Sequence, residues 1–141
     1  MNCTISSIHY CPVKSISFQS LQSCNIKKNL GMENDRIFAF SRIIELKKAK
    51  LVEKNPDERN LNNFLTLKNS PTLNQYNFIY QNQVLTLTKN DSEILSISTE
   101  DENERLLLSN KLTELESSLM KPITLLKNKE FPFFDTSHSK N

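Results

Sequence analysis

Glycine is almost missing from this chain: Gly31 is the single one among 141 residues. At an average usage of about 7%, a chain of this length would carry roughly ten. The shortage excludes a glycine-rich phosphate loop, which needs several positions without a Cβ. A glycine kept in such a sequence marks a position that needs positive φ or a close backbone approach. Long apolar runs are missing too. No stretch approaches the roughly 18 residues of a membrane-spanning helix, so no membrane association is expected. The start, Met1-Asn2-Cys3-Thr4, has neither a basic nor an apolar leader segment, so no secretory signal is expected. Cysteine is scarce and odd in number. Cys3, Cys11 and Cys24 have the spacing of neither a zinc ribbon nor a Cys-x-x-Cys redox site. The reading is reduced thiols in a cytoplasmic protein. An excess of one charge is also absent: 18 basic and 16 acidic residues interleave to a net +2. That dispersed balance argues against a nucleic-acid-binding barrel, which needs a basic face with exposed aromatics.

What is present suffices for one domain with one real core. Hydrophobic residues make up 37% of the chain, which suits a small barrel or a sheet with one wet face. Strand patterns dominate. Ile5, Ile8 and Tyr10 lead to Pro12, and Ile16 and Phe18 alternate with Ser15 and Ser17. Leu21 to Lys27 continues as extended chain, and Arg36-Ile37-Phe38-Ala39-Phe40 reads as a buried strand after the glycine turn. Phe64 to Leu67 reads as a strand. Tyr76 to Tyr80 and Val84 to Thr88 form a hairpin about Asn82-Gln83, and after a turn at Lys89 to Ser92 comes Glu93 to Ser98. Ile123 to Leu126 reads as a last strand. Residues 45–63 are charged, with a turn at Asn55-Pro56-Asp57-Glu58, and predict a short helix or ordered surface loop at Leu46 to Lys54. One helix is well signalled, over about residues 100–120. Thr99 to Glu102 matches a capping box, Leu108, Leu112, Leu115 and Leu119 share a face, and Pro122 stops it.

Two segments carry the chemistry. Tyr10-Cys11-Pro12-Val13-Lys14-Ser15 and Gly31-Met32-Glu33-Asn34-Asp35-Arg36 offer an ammonium, a hydroxyl and a guanidinium beside chain-shaping residues. Lys, Ser and Arg brought together suit an anionic group such as a phosphate. The competing readings are a solvated Lys14 and a surface Asp35–Arg36 pair of little energetic weight. Asp35 reads as the residue that positions Arg36 or caps a turn. Cys11 is either a thiol activated by Lys14 or a half-buried small hydrophobe. His9 and Cys11 share a strand face, but two ligands do not make a zinc site.

These segments, followed by Phe64-Leu65-Thr66-Leu67-Lys68-Asn69-Ser70-Pro71 and by Phe134-Asp135-Thr136-Ser137, resemble a known family in their order along the chain. It is the N-terminal β-barrel domain of MOSC proteins, relatives of the C-terminal part of molybdenum cofactor sulfurase and of the mitochondrial amidoxime reducing component. The resemblance implies an α+β, mostly β fold: a small antiparallel barrel over residues 1–130, with one amphipathic helix toward its C-terminal end. It implies that residues 131–141 are a junction into a missing C-terminal MOSC domain, so that the chain is a fragment. It further implies that Lys14, Ser15 and Arg36 hold the phosphate of a molybdenum cofactor, and that Asp135, Thr136 and Ser137 line the same site. The family's molybdenum-ligating cysteine would lie in the second domain, and Cys3, Cys11 and Cys24 do not match it. An oxidoreductase or sulfur-carrier activity, with a redox partner protein, would therefore belong to the intact protein and not to this piece alone. A rival reading from another class is a non-catalytic interaction module whose barrel and 45–63 segment bind a protein partner. The two differ in one spatial relation, the closeness of Lys14 to Arg36.

Overall fold

The computed structural model describes residues 1–134. Short antiparallel ladders dominate it. The first strands are β1 (Ile8–Tyr10) and β2 (Gln19–Leu21), which pair with each other, then β3 (Ile26–Lys27) and β4 (Gly31–Met32), which form a small ribbon. β5 (Phe38–Ser41) is followed by helix α1 (Leu46–Lys54). Next come β6 (Tyr76–Gln81), β7 (Val84–Lys89) and β8 (Ser92–Ser98), a three-stranded meander. Helix α2 (Glu102–Leu115) and β9 (Thr124–Lys127) complete the order, and β9 returns to pair with β5. The fold is α+β with antiparallel sheets, as expected, although these ladders do not close into one continuous barrel.

The meander shows how local sequence sets the architecture. Asn82-Gln83 and Asn90-Asp91 all have positive φ, the two-residue turn whose twist matches a right-twisted hairpin. Along β6, Tyr76, Phe78 and Tyr80 point inward while Asn77, Ile79 and Gln81 point outward. A register shift after Leu87 leaves Ile94 without a cross-strand partner, and Ile94 and Leu95 both pack against the core. Phe38 meets Tyr80 edge-on at 5.1 Å, and Phe40 lies 5.7 Å from Phe78.

β5 and β9 are the wall between two cores. Phe38, Phe40 and Leu125 belong to the larger one, whereas the intervening Ala39 and the adjacent Leu126 belong to the smaller. A strand buried on both faces needs a continuous apolar run, and Phe38-Ala39-Phe40 supplies it. Leu108 and Leu112 of α2 close the larger core. Ala49 and Val52 of α1, with Phe64 and Phe133, fill the smaller.

Four expectations change. The alternation at Ser15 to Phe18 is not a strand: Ser15 and Ser17 are left-handed, Ile16 is buried and Phe18 is exposed. Phe64 to Leu67 contributes only one bridge, Phe64 to Ser41, because Asn69 folds the chain into a turn. Its Oδ1 accepts from the Thr66 amide at 3.0 Å, and its Nδ2 donates to the Phe64 carbonyl at 2.9 Å. The cap of α2 is Asp101, not Thr99; its carboxylate accepts from the Asn103 and Glu104 amides. Thr99 instead donates its hydroxyl to the Gln83 carbonyl. α2 also ends at Leu115, well before Pro122. The Glu116 carboxylate accepts from Gln75 and Ser118 and fixes a turn there, so buried Leu119 lies outside the helix and Leu115 is exposed.

Candidate functional site

The two segments singled out by sequence lie side by side. The Arg36 amide donates to the Cys11 carbonyl at 2.6 Å, the Phe38 amide to Pro12 at 3.0 Å, and the Lys14 amide to Phe38 at 2.8 Å. Val13 thus bridges Phe38 in a parallel sense. Pro12 lacks an amide proton, but here only its carbonyl is needed.

Each segment is bent by a left-handed residue. The Ile16 amide closes onto the Val13 carbonyl at 3.1 Å, with Ser15 at φ 59° in the third position of the turn. That position of a type II turn usually takes Gly or Asn. The Asp35 amide closes onto Met32 at 3.2 Å in the same way, with Asn34 at φ 65°. Arg36 itself sits at φ 52°. Gly31 has φ +78° and open space where a Cβ would stand, so its backbone conformation, not crowding, calls for glycine.

Asp35 performs the role expected of it. One carboxylate oxygen accepts from the Cys11 amide at 2.8 Å and the other from the Arg36 guanidinium at 2.5 Å. It therefore ties the two segments together and aims Arg36 at the same time. Cys11 is buried and donates its thiol proton to the Val13 carbonyl at 2.8 Å. Burial pushes its pKa up against the opposing pull of Arg36, so the thiol is a packed hydrophobe and not an activated nucleophile. Among the described residues no three His, Cys, Asp or Glu side chains gather as a metal site, and no helix is long and apolar enough to cross a membrane.

Lys14 is not solvated. It is 1% exposed, its ammonium donates to the Phe133 carbonyl at 3.2 Å, and it lies 5.9 Å from the Phe64 ring centroid. Arg36 remains about one-third exposed and faces the Phe134 ring at 5.8 Å. Its own carbonyl accepts from the Phe133 amide at 2.8 Å. The hydroxyl of half-buried Ser15 makes no hydrogen bond with the described residues. Asp135, Thr136 and Ser137 lie outside the described residues.

The sequence reading missed Arg59, which holds the 131–133 stretch from the other side. No local pattern marks it, because its partners are carbonyls at Val52, Glu53, Phe131 and Pro132. The aromatic run at 131–134 was the available signal that something must pack there. Phe133 is indeed buried, between Phe64 and Arg59. The 45–63 segment is accordingly an ordered part of the fold.

No curated protein and no solved structure matches the chain. The family described as the MOSC N-terminal beta barrel domain matches residues 2–121, and the chain therefore belongs to that family.

Proposed function

We propose that this domain is the phosphate-holding wall of a molybdenum-cofactor pocket, completed by a MOSC domain that follows the junction at 131–141. Lys14, Ser15 and Arg36 are the residues that would hold the cofactor phosphate, with Asp135, Thr136 and Ser137 entering from the junction. The carrying observation is that Lys14 and Arg36 lie on adjacent hydrogen-bonded segments, with the Lys14 ammonium on the Phe133 carbonyl and the Arg36 backbone carbonyl on the Phe133 amide. The donor types suit a dianion: the buried Lys14 ammonium, which also holds the Phe133 carbonyl, a Ser15 hydroxyl with no hydrogen bond among the described residues, and a guanidinium with one donor on Asp35. Left-handed backbone at Ser15 and Arg36, residue types that avoid it, adds support, since such strain gathers at functional sites. The cofactor would supply the redox or sulfur chemistry, with a redox protein as electron partner; this chain's residues bind and orient its phosphate.

The test is metal content in a protein carrying both domains. Arg36→Gln, which keeps the side-chain length, should lower bound molybdenum about tenfold, and Ser15→Ala less. Unchanged molybdenum in Arg36→Gln, with the fold intact, would sink the reading.

A further inference from the structure

We propose a second binding site, for a small organic anion with an apolar body, in the cleft between the end of β5 and the 118–123 turn. The cleft encloses about 480 Å³, within the size range of small-molecule sites, roughly 300–1,000 Å³. Its floor is apolar and buried: Leu65, Leu119 and Ile123. Its rim exposes Ile44 and Met120, the latter 92% exposed and able to adapt to a ligand's shape.

The charge is one-sided. Arg42 and Lys121 line the cleft, and no carboxylate does. Both are exposed, and neither makes an ion pair or side-chain hydrogen bond among the described residues. The side-chain amide of Asn62 is likewise uncommitted. Glu45 follows Ile44 in sequence but does not line the cleft, and the Glu116 carboxylate is turned to Gln75 and Ser118. An apolar floor under two uncompensated cations selects a ligand with an anionic head and a hydrocarbon or aryl body.

This cleft is separate from the Lys14 site. Phe64 has extended backbone and faces Lys14 and the smaller core, while Leu65 turns to the larger core and the cleft. Neighbours on extended chain point to opposite faces. The proposal therefore stands without the cofactor reading.

The experiment is an amide chemical-shift titration of the 141-residue chain with phenyl phosphate and with benzoate, against benzyl alcohol and inorganic phosphate. Saturable shifts at Asn62, Asn69, Ser70 and Met120, with a midpoint near about 1 mM for either aryl anion, are expected. The better of the two identifies the head group. Arg42→Gln with Lys121→Gln should weaken binding about tenfold, with the other amides unmoved because both side chains are exposed. The proposal fails if no shift saturates by about 20 mM. It also fails if benzyl alcohol or inorganic phosphate binds as well, if the double variant binds unchanged, or if the shifts fall at Lys14 to Ile16 and Arg36 instead.

Discussion

The guanidinium of Arg59 lies 4.0 Å from the centroid of the Phe133 ring. Its Nε and Nη2 take the Val52 and Glu53 carbonyls at the end of α1, and its Nη1 takes those of Phe131 and Pro132. One planar fork thus satisfies helix-end carbonyls and pins the segment that also meets Lys14 and Arg36. Burial pushes its pKa down to about 10 against the opposing effect of Glu53, so it keeps its charge at neutral pH.

Removing that fork should be costly. Arg59→Ala is expected to lose about 2–4 kcal/mol, the sum of several desolvated carbonyls and a stacked cation. Arg59→Lys should recover less than half, because a point charge cannot serve carbonyls in two directions. Urea unfolding of both variants checks this. A lysine variant as stable as the parent would show that charge, not geometry, is what matters.

Ser15 and Ser17 are both left-handed, yet their glycine variants should behave in opposite ways. The Ser15 hydroxyl bonds nothing among the described residues, so Ser15→Gly mainly removes strain and should gain about 1 kcal/mol. The Ser17 hydroxyl accepts from the Phe78 amide at 3.0 Å. Ser17→Gly relieves the same backbone but strips that acceptor, for a net loss of about 1 kcal/mol. Thermal unfolding of the pair separates strain from function. Stabilisation at Ser15, together with weaker molybdenum retention in the two-domain protein, would mean that the serine is kept for its hydroxyl.

Tyr10 makes stability fall in alkali. Its hydroxyl shares its one proton between the Gln19 side-chain oxygen at 2.9 Å and the Tyr80 carbonyl at 3.1 Å. Burial first, then the charges of Tyr80 and Asp35, push its pKa up to about 12 from an ordinary 10.0. The folded state therefore holds a proton that the unfolded chain releases. The contribution is whole below pH 10 and is lost as pH rises toward 12. Tyr10→Phe should flatten that part of the slope in urea unfolding from pH 9 to 11.5, leaving the share from Tyr76, which burial also raises. An unchanged slope would count against this assignment.

Local chemistry was legible where the residues carry it themselves. The Asn82-Gln83 and Asn90-Asp91 turns and the alternation of β6 follow from short patterns, and Leu46–Lys54 takes the helical one of the two forms, helix or ordered loop, that its sequence allows. The pairing of Asp35 with Arg36 follows from a short pattern as well. What the sequence could not reveal depends on distant partners. Ile16 and Phe18 alternate like a strand, but two left-handed serines override the pattern. Thr99 has the spacing of a cap, but its hydroxyl is taken by Gln83 across the meander, and Asp101, two residues on, caps the helix. The site divides the same way: Lys14 and Arg36 stand out in the sequence, whereas the burial of Lys14 and the grip of Arg59 need the chain at 131–133 in place. Asp101→Ala should accordingly cost about 1 kcal/mol, whereas Thr99→Ser, which keeps the hydroxyl on Gln83, should leave the helix start unchanged. Amide exchange at Asn103 and Glu104 reads the difference.

Ser109 shows how one hydroxyl joins two layers. It is fully buried in α2, donates to the Arg105 carbonyl at 2.9 Å, and accepts from the Leu125 amide of β9 at 2.9 Å. β9 pairs with β5 on one edge only, so this amide on its other edge has no strand to bond. A buried amide left alone costs about 1–3 kcal/mol. Ser109→Ala keeps the volume nearly constant and fits the helix, where alanine is favoured. Any loss of stability therefore reports the abandoned Leu125 amide, and about 2 kcal/mol is expected. Exchange of that amide should quicken by more than its neighbours', because its protection rests on a side chain and not on a ladder. A neutral Ser109→Ala would mean that the helix and the wall strand are held together by Leu108, Leu112 and Leu125 alone.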